Sequence, residues 1–264
     1  MMALLRGELL KLSRQPAILF WGFLAAPLFS LLFKAATEGF VLLRSGFTVH
    51  GGADVLLSGA KSLGISGNSL AQLLYAMGVA SVFFNEYRFS TWRLLVPRTS
   101  RTHLLAAKFF ACLICLAASL LLTLFGDLAL RLALSFLGPP ILPPADGPAS
   151  GVVLIAAAFA TAFLELGVLA ALVSAITIAT RSLIAAVIPA FLLPIAATLL
   201  QIYLGQDDGM LPLTSIAADA IRNWLFSAAP SLPAIEGLGI LILWLIAAAS
   251  LACLIFHRQE LASE

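Results

Sequence analysis

Apolar residues fall in six long runs, at about residues 17–36, 65–84, 104–125 or longer, 152–180, 183–204 and 235–256, with short polar stretches between them. About 20 predominantly apolar residues suffice to carry a helix across the hydrocarbon core of a bilayer. The pattern therefore predicts an all-α polytopic membrane protein with six transmembrane helices, built as one domain over residues 1–264. The first run has a long aromatic core and no small-residue cleavage site, so it reads as a retained anchor and not as a signal peptide. Pro27 is expected to bend it, and Pro189 and Pro194 to interrupt the fifth run. Residues 138–150 form a proline-rich turn. Residues 213–226 show partial helical periodicity, with Ile216, Ala220 and Trp224 near one face. That segment is expected to rest on the outer interface or to dip into it before the last crossing.

Composition agrees with that pattern. Hydrophobic residues make up 61% of the 264 and charged residues only 11%, with a mean hydropathy of +1.06. A soluble chain of this size could not hide so much apolar surface. A soluble enzyme, a secreted disulfide scaffold and a nucleic-acid binder are all poor fits, and a net charge of +2 gives no polyanion-binding face. Cys112 and Cys115 have the C-x-x-C spacing but sit inside an apolar run, and His50, His103 and His257 are scattered. These residues form no metal constellation. An even number of crossings puts both termini on one side. The segments on that side hold ten basic residues and the opposite side five, which orients the termini toward the cytoplasm.

Residues 85–108, NEYRFSTWRLLVPRTSRTHLLAAK, are the most informative stretch. They are basic, yet Tyr87, Phe89, Trp92, Leu94 and Leu95 interleave with the charges. Two readings are open on the residues alone: an amphipathic helix over about 86–95 lying on the inner surface, or a positive loop that fixes topology. The segment resembles the signature of permease subunits in the type-2 ABC exporter superfamily. Glu86 matches the leading Glu, Ser90-Thr91 the small-Thr pair with Ser in place of the usual Gly, and Leu94-Leu95 the apolar step. Pro97 and Ser100-Arg101 match the turn, and Lys108 the final basic position. Residues 8–16, with Glu8, Lys11 and Arg14, resemble the family's amphipathic interface helix, placed at about residues 3–14. The tail IFHRQEL resembles the exit of its last helix.

The resemblance implies a coupling helix at about residues 86–95, docked through Glu86, Arg88, Ser90, Thr91, Arg93 and Arg101 on a separate cytoplasmic ABC ATPase. ATP and magnesium would be bound by that partner and no cofactor by this chain, which has no G-x-x-x-x-G-K-[ST] phosphate loop. The chain itself would then be no enzyme. The resemblance further implies a bacterial or archaeal inner membrane, and a second permease copy as partner, in a homodimer or a heterodimer.

Inside the membrane the sequence offers fewer candidates. Glu165 lies deep in the fourth run, where a lone carboxylate is costly and faces a bundle interior or an aqueous cavity. It is a candidate for the conduit or for a helix-to-helix bond, and Pro189 and Pro194 are candidates for gating. Asp127 and Arg131 have the spacing of a structural ion pair on one helix face. The competing classes are an ion-coupled secondary carrier, which would show inverted repeats, and a membrane enzyme acting on lipid or peptide bonds, which would need a catalytic cluster. A mostly apolar interior favours a hydrophobic or amphipathic cargo, such as a drug, peptide or lipid-linked molecule, over a small ion.

Overall fold

The computed structural model describes residues 1–45, 55–89, 100–136, 148–204, 211–227 and 230–259. Among these the regular structure is helical: α1 (Met2–Ser13), α2 (Pro16–Leu19), a wide π turn (Phe20–Leu24), α3 (Ala25–Ser45), α4 (Val55–Ser62), a 3-10 turn (Leu63–Gly67), α5 (Ser69–Arg88), α6 (Arg101–Ser135), α7 (Pro148–Thr180), α8 (Leu183–Leu204), α9 (Thr214–Ser227) and α10 (Ser231–Arg258). Five stretches are long and apolar enough to cross a membrane: Pro16–Arg44, Arg101–Leu134, Gly151–Thr180, Leu183–Tyr203 and Ser231–Arg258. A sixth crossing is available if the bent pair Val55–Gly67 and Ser69–Arg88 counts as one. The chain is a multi-pass helical membrane protein.

Three details differ from the sequence expectation. The run at 65–84 is a pair of helices bent by 64°. The break falls where Asn68 leaves helical geometry and its side chain accepts from the Leu70 and Ala71 amides at 2.9 and 3.3 Å, a helix start in the middle of an apolar run. The first helix is widened at Phe20–Leu24, not simply bent at Pro27. A proline at 27 cannot donate to the carbonyl four residues earlier and its ring presses on it, and the π turn lies at that point. Finally, α8 runs unbroken through Pro189 and Pro194, because a bilayer offers no water to freed backbone groups and the helix persists around them.

The widened turn brings two backbones together. A Cβ on Gly78 of α5 would lie 2.7 Å from Gly22 Cα and from its carbonyl oxygen, so only glycine allows this crossing. Around it, Tyr75, Phe83, Leu116, Leu120 and Leu166 are buried between α5, α6 and α7, while Leu32, Phe33, Leu43, Phe125, Ile202 and Leu243 stay exposed. A bundle whose core is lined with small residues and whose outside is studded with large apolar ones is what lipid solvent selects.

The helix α1 and the close of α10 sit at one end of the bundle. There α1 packs on α6, and Arg101 at the start of α6 donates to the carbonyls of Phe256, His257 and Gln259 at the close of α10, at 3.1, 3.0 and 2.7 Å. Those carbonyls have no intrahelical donors, and a guanidinium meets that need. Gln259 also donates to the Ile178 carbonyl and accepts from the Tyr87 hydroxyl at 2.9 Å. The tight turn between α7 and α8 closes beside them, with Arg181 at φ 53° and its guanidinium 5.9 Å from the Tyr87 ring centre. At the opposite end α9 and α10 form a helical hairpin. The Trp244 indole donates to the Pro212 carbonyl at 2.9 Å, and Trp244 is at the midpoint of α10. Hence α9 starts near mid-depth and climbs about 21 Å back to the beginning of α10.

Candidate functional site

Charged residues in an apolar bundle must find partners or pay heavily for their burial, and here they gather in three networks at different depths. The first lies at the termini end. Lys108 of α6 is 1% exposed and donates to Glu86 of α5 at 2.7 Å and to Glu8 of α1 at 2.6 Å. Glu86, also 1% exposed, takes a second cation in Lys11 of α1. The helical spacing of Glu8 and Lys11, three apart, lets both reach down from one face of α1. Two carboxylates and two ammonium groups thereby tie three helices together.

The second network lies at the opposite end. Asp127 of α6 is fully buried, pairs with Lys34 of α3 and accepts from the Ser58 hydroxyl of α4 at 2.9 Å. Arg131 donates to the same hydroxyl at 2.9 Å and lies 3.6 Å from Glu38 of α3. The expected Asp127–Arg131 relation is therefore mediated by Ser58, and each residue carries its own partner on α3. Lys108 and Asp127 are nineteen residues apart on α6, about 28 Å. That matches the roughly 30 Å thickness of a hydrocarbon core, so the two networks bracket it.

The third network lies between them. Glu165 of α7, 2% exposed, is paired with Arg222 of α9 and accepts from the Gln72 amide of α5 at 3.3 Å. Arg222 also donates to Asp219 at 2.6 Å and to the Ser66 hydroxyl at 2.9 Å. Ser66 belongs to the 3-10 turn where α4 and α5 bend apart, and its carbonyl accepts from Gln72 at 2.8 Å. Gln72 is fourteen residues from Glu86 along α5, about 21 Å, so this network sits inside the bracket. A small cavity of about 40 Å³, enough for one water, adjoins Glu165, Gln72, Pro194 and Thr214.

The residues singled out in the sequence are thus dispersed. Glu86, Glu8 and Lys11 meet in the first network. Arg14 caps the end of α1 and Arg88 lies exposed with its guanidinium 5.5 Å from the Phe89 ring centre, while Arg101 fastens α10. Ser90, Thr91 and Arg93, with most of the expected helix at 86–95, lie outside the described residues. Pro194 borders the cavity beside Glu165, whereas Pro189 faces outward.

Sequence reasoning treated Glu165 as a lone carboxylate, and Arg222 corrects that. The missed signal was that a buried acid demands a counter-ion, and Arg222 follows Ala218 by four residues, on the flank of α9 that is buried. The buried face of α9 is in fact Ala217, Ala218 and Ile221, packed on Val168, Ala234 and Leu241. Trp224, expected on that face, is exposed, because small residues permit the close crossing with α10 and an indole does not. Comparison with protein-family models, curated proteins and solved structures returned no match.

Proposed function

We propose that this chain is the membrane subunit of an ATP-driven exporter of the type-2 ABC class, with its termini in the cytoplasm, working as a pair of copies on two separate ATPase subunits. The observation that carries this reading is the termini-end network. Glu86 and Lys108, the two ends of the sequence segment that resembles the exporter signature, meet as a buried ion pair, and Glu8 and Lys11 of the α1 segment join them. A force applied to the segment between them would pass directly into α5, α6 and α1, which is what coupling to a motor requires. Glu86 in this reading holds the lever, while Arg88, Ser90, Thr91 and Arg93 supply contacts with the ATPase. The apolar interior supports a hydrophobic or amphipathic cargo.

The test is to purify the tagged full-length chain from its native membrane in mild detergent and measure ATP hydrolysis in the eluate. We expect ATPase activity to accompany the wild-type chain and to fall about tenfold with Arg93→Glu, as loss of an interface arginine would give, with the unfolding midpoint unchanged. A well-folded chain without ATPase activity, or full activity with Arg93→Glu, overturns the proposal. One observation favours a secondary carrier instead: the Glu165–Arg222 pair beside a cavity inside the bracket. Uptake driven by an ion gradient in vesicles holding this chain alone, without ATP, would decide for that reading.

A further inference from the structure

A groove of about 770 Å³ opens on the outside of the bundle between α3 and the bend joining α4 to α5. Its walls are Phe29 and Phe33 on one side and Leu70, Leu73 and Leu74 on the other. The volume is that of a ligand site, and the lining is mainly apolar, with Ser30, Ser62 and Asn68 as its uncharged polar members. Lys61 stands at the rim, exposed and with no ion-pair partner among the described residues. Three cations toward the same end, Lys34, Arg131 and Arg222, are by contrast paired inside the bundle. Among the described residues no carboxylate lines the groove. The α5 helix also begins in it, at Asn68, so the positive end of a 20-residue helix lies at the groove along with Lys61.

We propose that this groove binds an anionic phospholipid from the surrounding bilayer, with acyl chain against the Phe29, Phe33 and Leu70 walls and phosphate on Lys61. The chemistry matches on both counts. A mainly apolar trough on the outside of the bundle takes a chain at little desolvation cost, and an ammonium with no ion-pair partner among the described residues takes one negative headgroup. Ser58, three residues before Lys61 on α4, belongs to the opposite-end network, which puts Lys61 at the depth of a headgroup. A second copy of the chain is a poorer occupant. A two-fold interface sets a patch against itself, and a trough cannot fill a trough. The proposal is independent of any ATPase partner, since it concerns a site complete within one chain.

The test uses the purified full-length chain, incubated in mixed micelles with equal phosphatidylglycerol and phosphatidylcholine and examined by native mass spectrometry. We expect the retained lipid to be mainly phosphatidylglycerol. Lys61→Gln should lower the preference about fivefold, the effect of one basic residue near a headgroup. Ser30→Trp, which fills the groove from its exposed wall, should abolish retention without moving the unfolding midpoint. If that variant folds poorly, Leu70→Glu replaces it, with the same loss expected from a carboxylate set against the phosphate. Equal retention of the two lipids, an unchanged preference in Lys61→Gln, or undiminished retention in the filled groove each overturns the proposal. So does a lipid-free dimer that Ser30→Trp dissociates, which would assign the groove to a second copy.

Discussion

Glu86 and Glu165 are carboxylates of nearly equal burial, 1% and 2% exposed, yet they are held by different kinds of helix. Glu86 is fixed between two ammonium groups, one on α6 and one on α1, and α5 and α6 are both long helices of the membrane bundle. Glu165 has a single cation among the described residues, supplied by α9, a helix of 14 residues that starts near mid-depth and climbs to one end. Arg222 divides itself between Glu165, Asp219 and Ser66. Beside Glu165 lie a cavity and the proline-bearing α8. The same ion-pair chemistry therefore makes a lock at the termini end and a movable joint at mid-depth. Removing one partner leaves the buried charge with a second ion of opposite sign in the first case, but breaks two pairs at once when that partner is Glu86; in the second it leaves Glu165 with a neutral donor.

The largest effect should come from the lock. Glu86→Ala leaves the buried Lys108 with Glu8 alone and removes the partner of Lys11, a loss of about 3 kcal/mol, the low end for a broken buried pair because one carboxylate stays on Lys108. Unfolding in mixed detergent micelles would measure it. Replacing both partners by Glu86→Met with Lys108→Met should recover most of that loss, since two buried charges disappear together and Glu8 and Lys11 can still meet on α1. A cost below about 1 kcal/mol for Glu86→Ala would break the comparison at its stronger side.

Arg222→Gln comes second. Glu165 keeps the Gln72 amide, so the expected destabilisation is about 1–3 kcal/mol, that of an incompletely satisfied buried polar group. The more telling readout is position. A cysteine introduced by Thr214→Cys, at the deep end of α9 beside the cavity, should react faster with a membrane-impermeant maleimide when Arg222→Gln is also present. An unchanged rate would mean that apolar packing of Ala217, Ala218 and Ile221 alone holds α9 down, and that the joint is no joint.

The contrast also explains which features could be read from the chain. Long apolar runs betray spanning helices because the bilayer imposes length and hydropathy at once, and α6 through α8 and α10 each lie over one such run. Local chemistry inside such a run is harder to see. Asn68 caps a helix and Pro27 accompanies a π turn, but one polar or cyclic residue barely changes a hydropathy window. Lys108 and Glu86 were legible as members of one pattern, not as partners in space. Arg222 was hidden because it lies 57 residues from Glu165, and pairing across that separation is set by the fold of α9 against α7, which periodicity alone does not contain.

The smallest effect sharpens the comparison most. Asp219 is 49% exposed and shares Arg222 with Glu165 at i,i+3 on the same helix. An ion pair so open to solvent contributes at most about 1 kcal/mol, so Asp219→Asn should hardly shift the unfolding midpoint. Its consequence is one of allegiance. Without Asp219 the guanidinium is left to Glu165 and Ser66, and α9 should be held more firmly, which predicts slower maleimide labelling at Thr214→Cys than in the parent chain. Arg222→Gln and Asp219→Asn would then move one rate in opposite directions from the two sides of a single arginine. General loosening of the bundle cannot produce that result, because it would raise the rate in both variants.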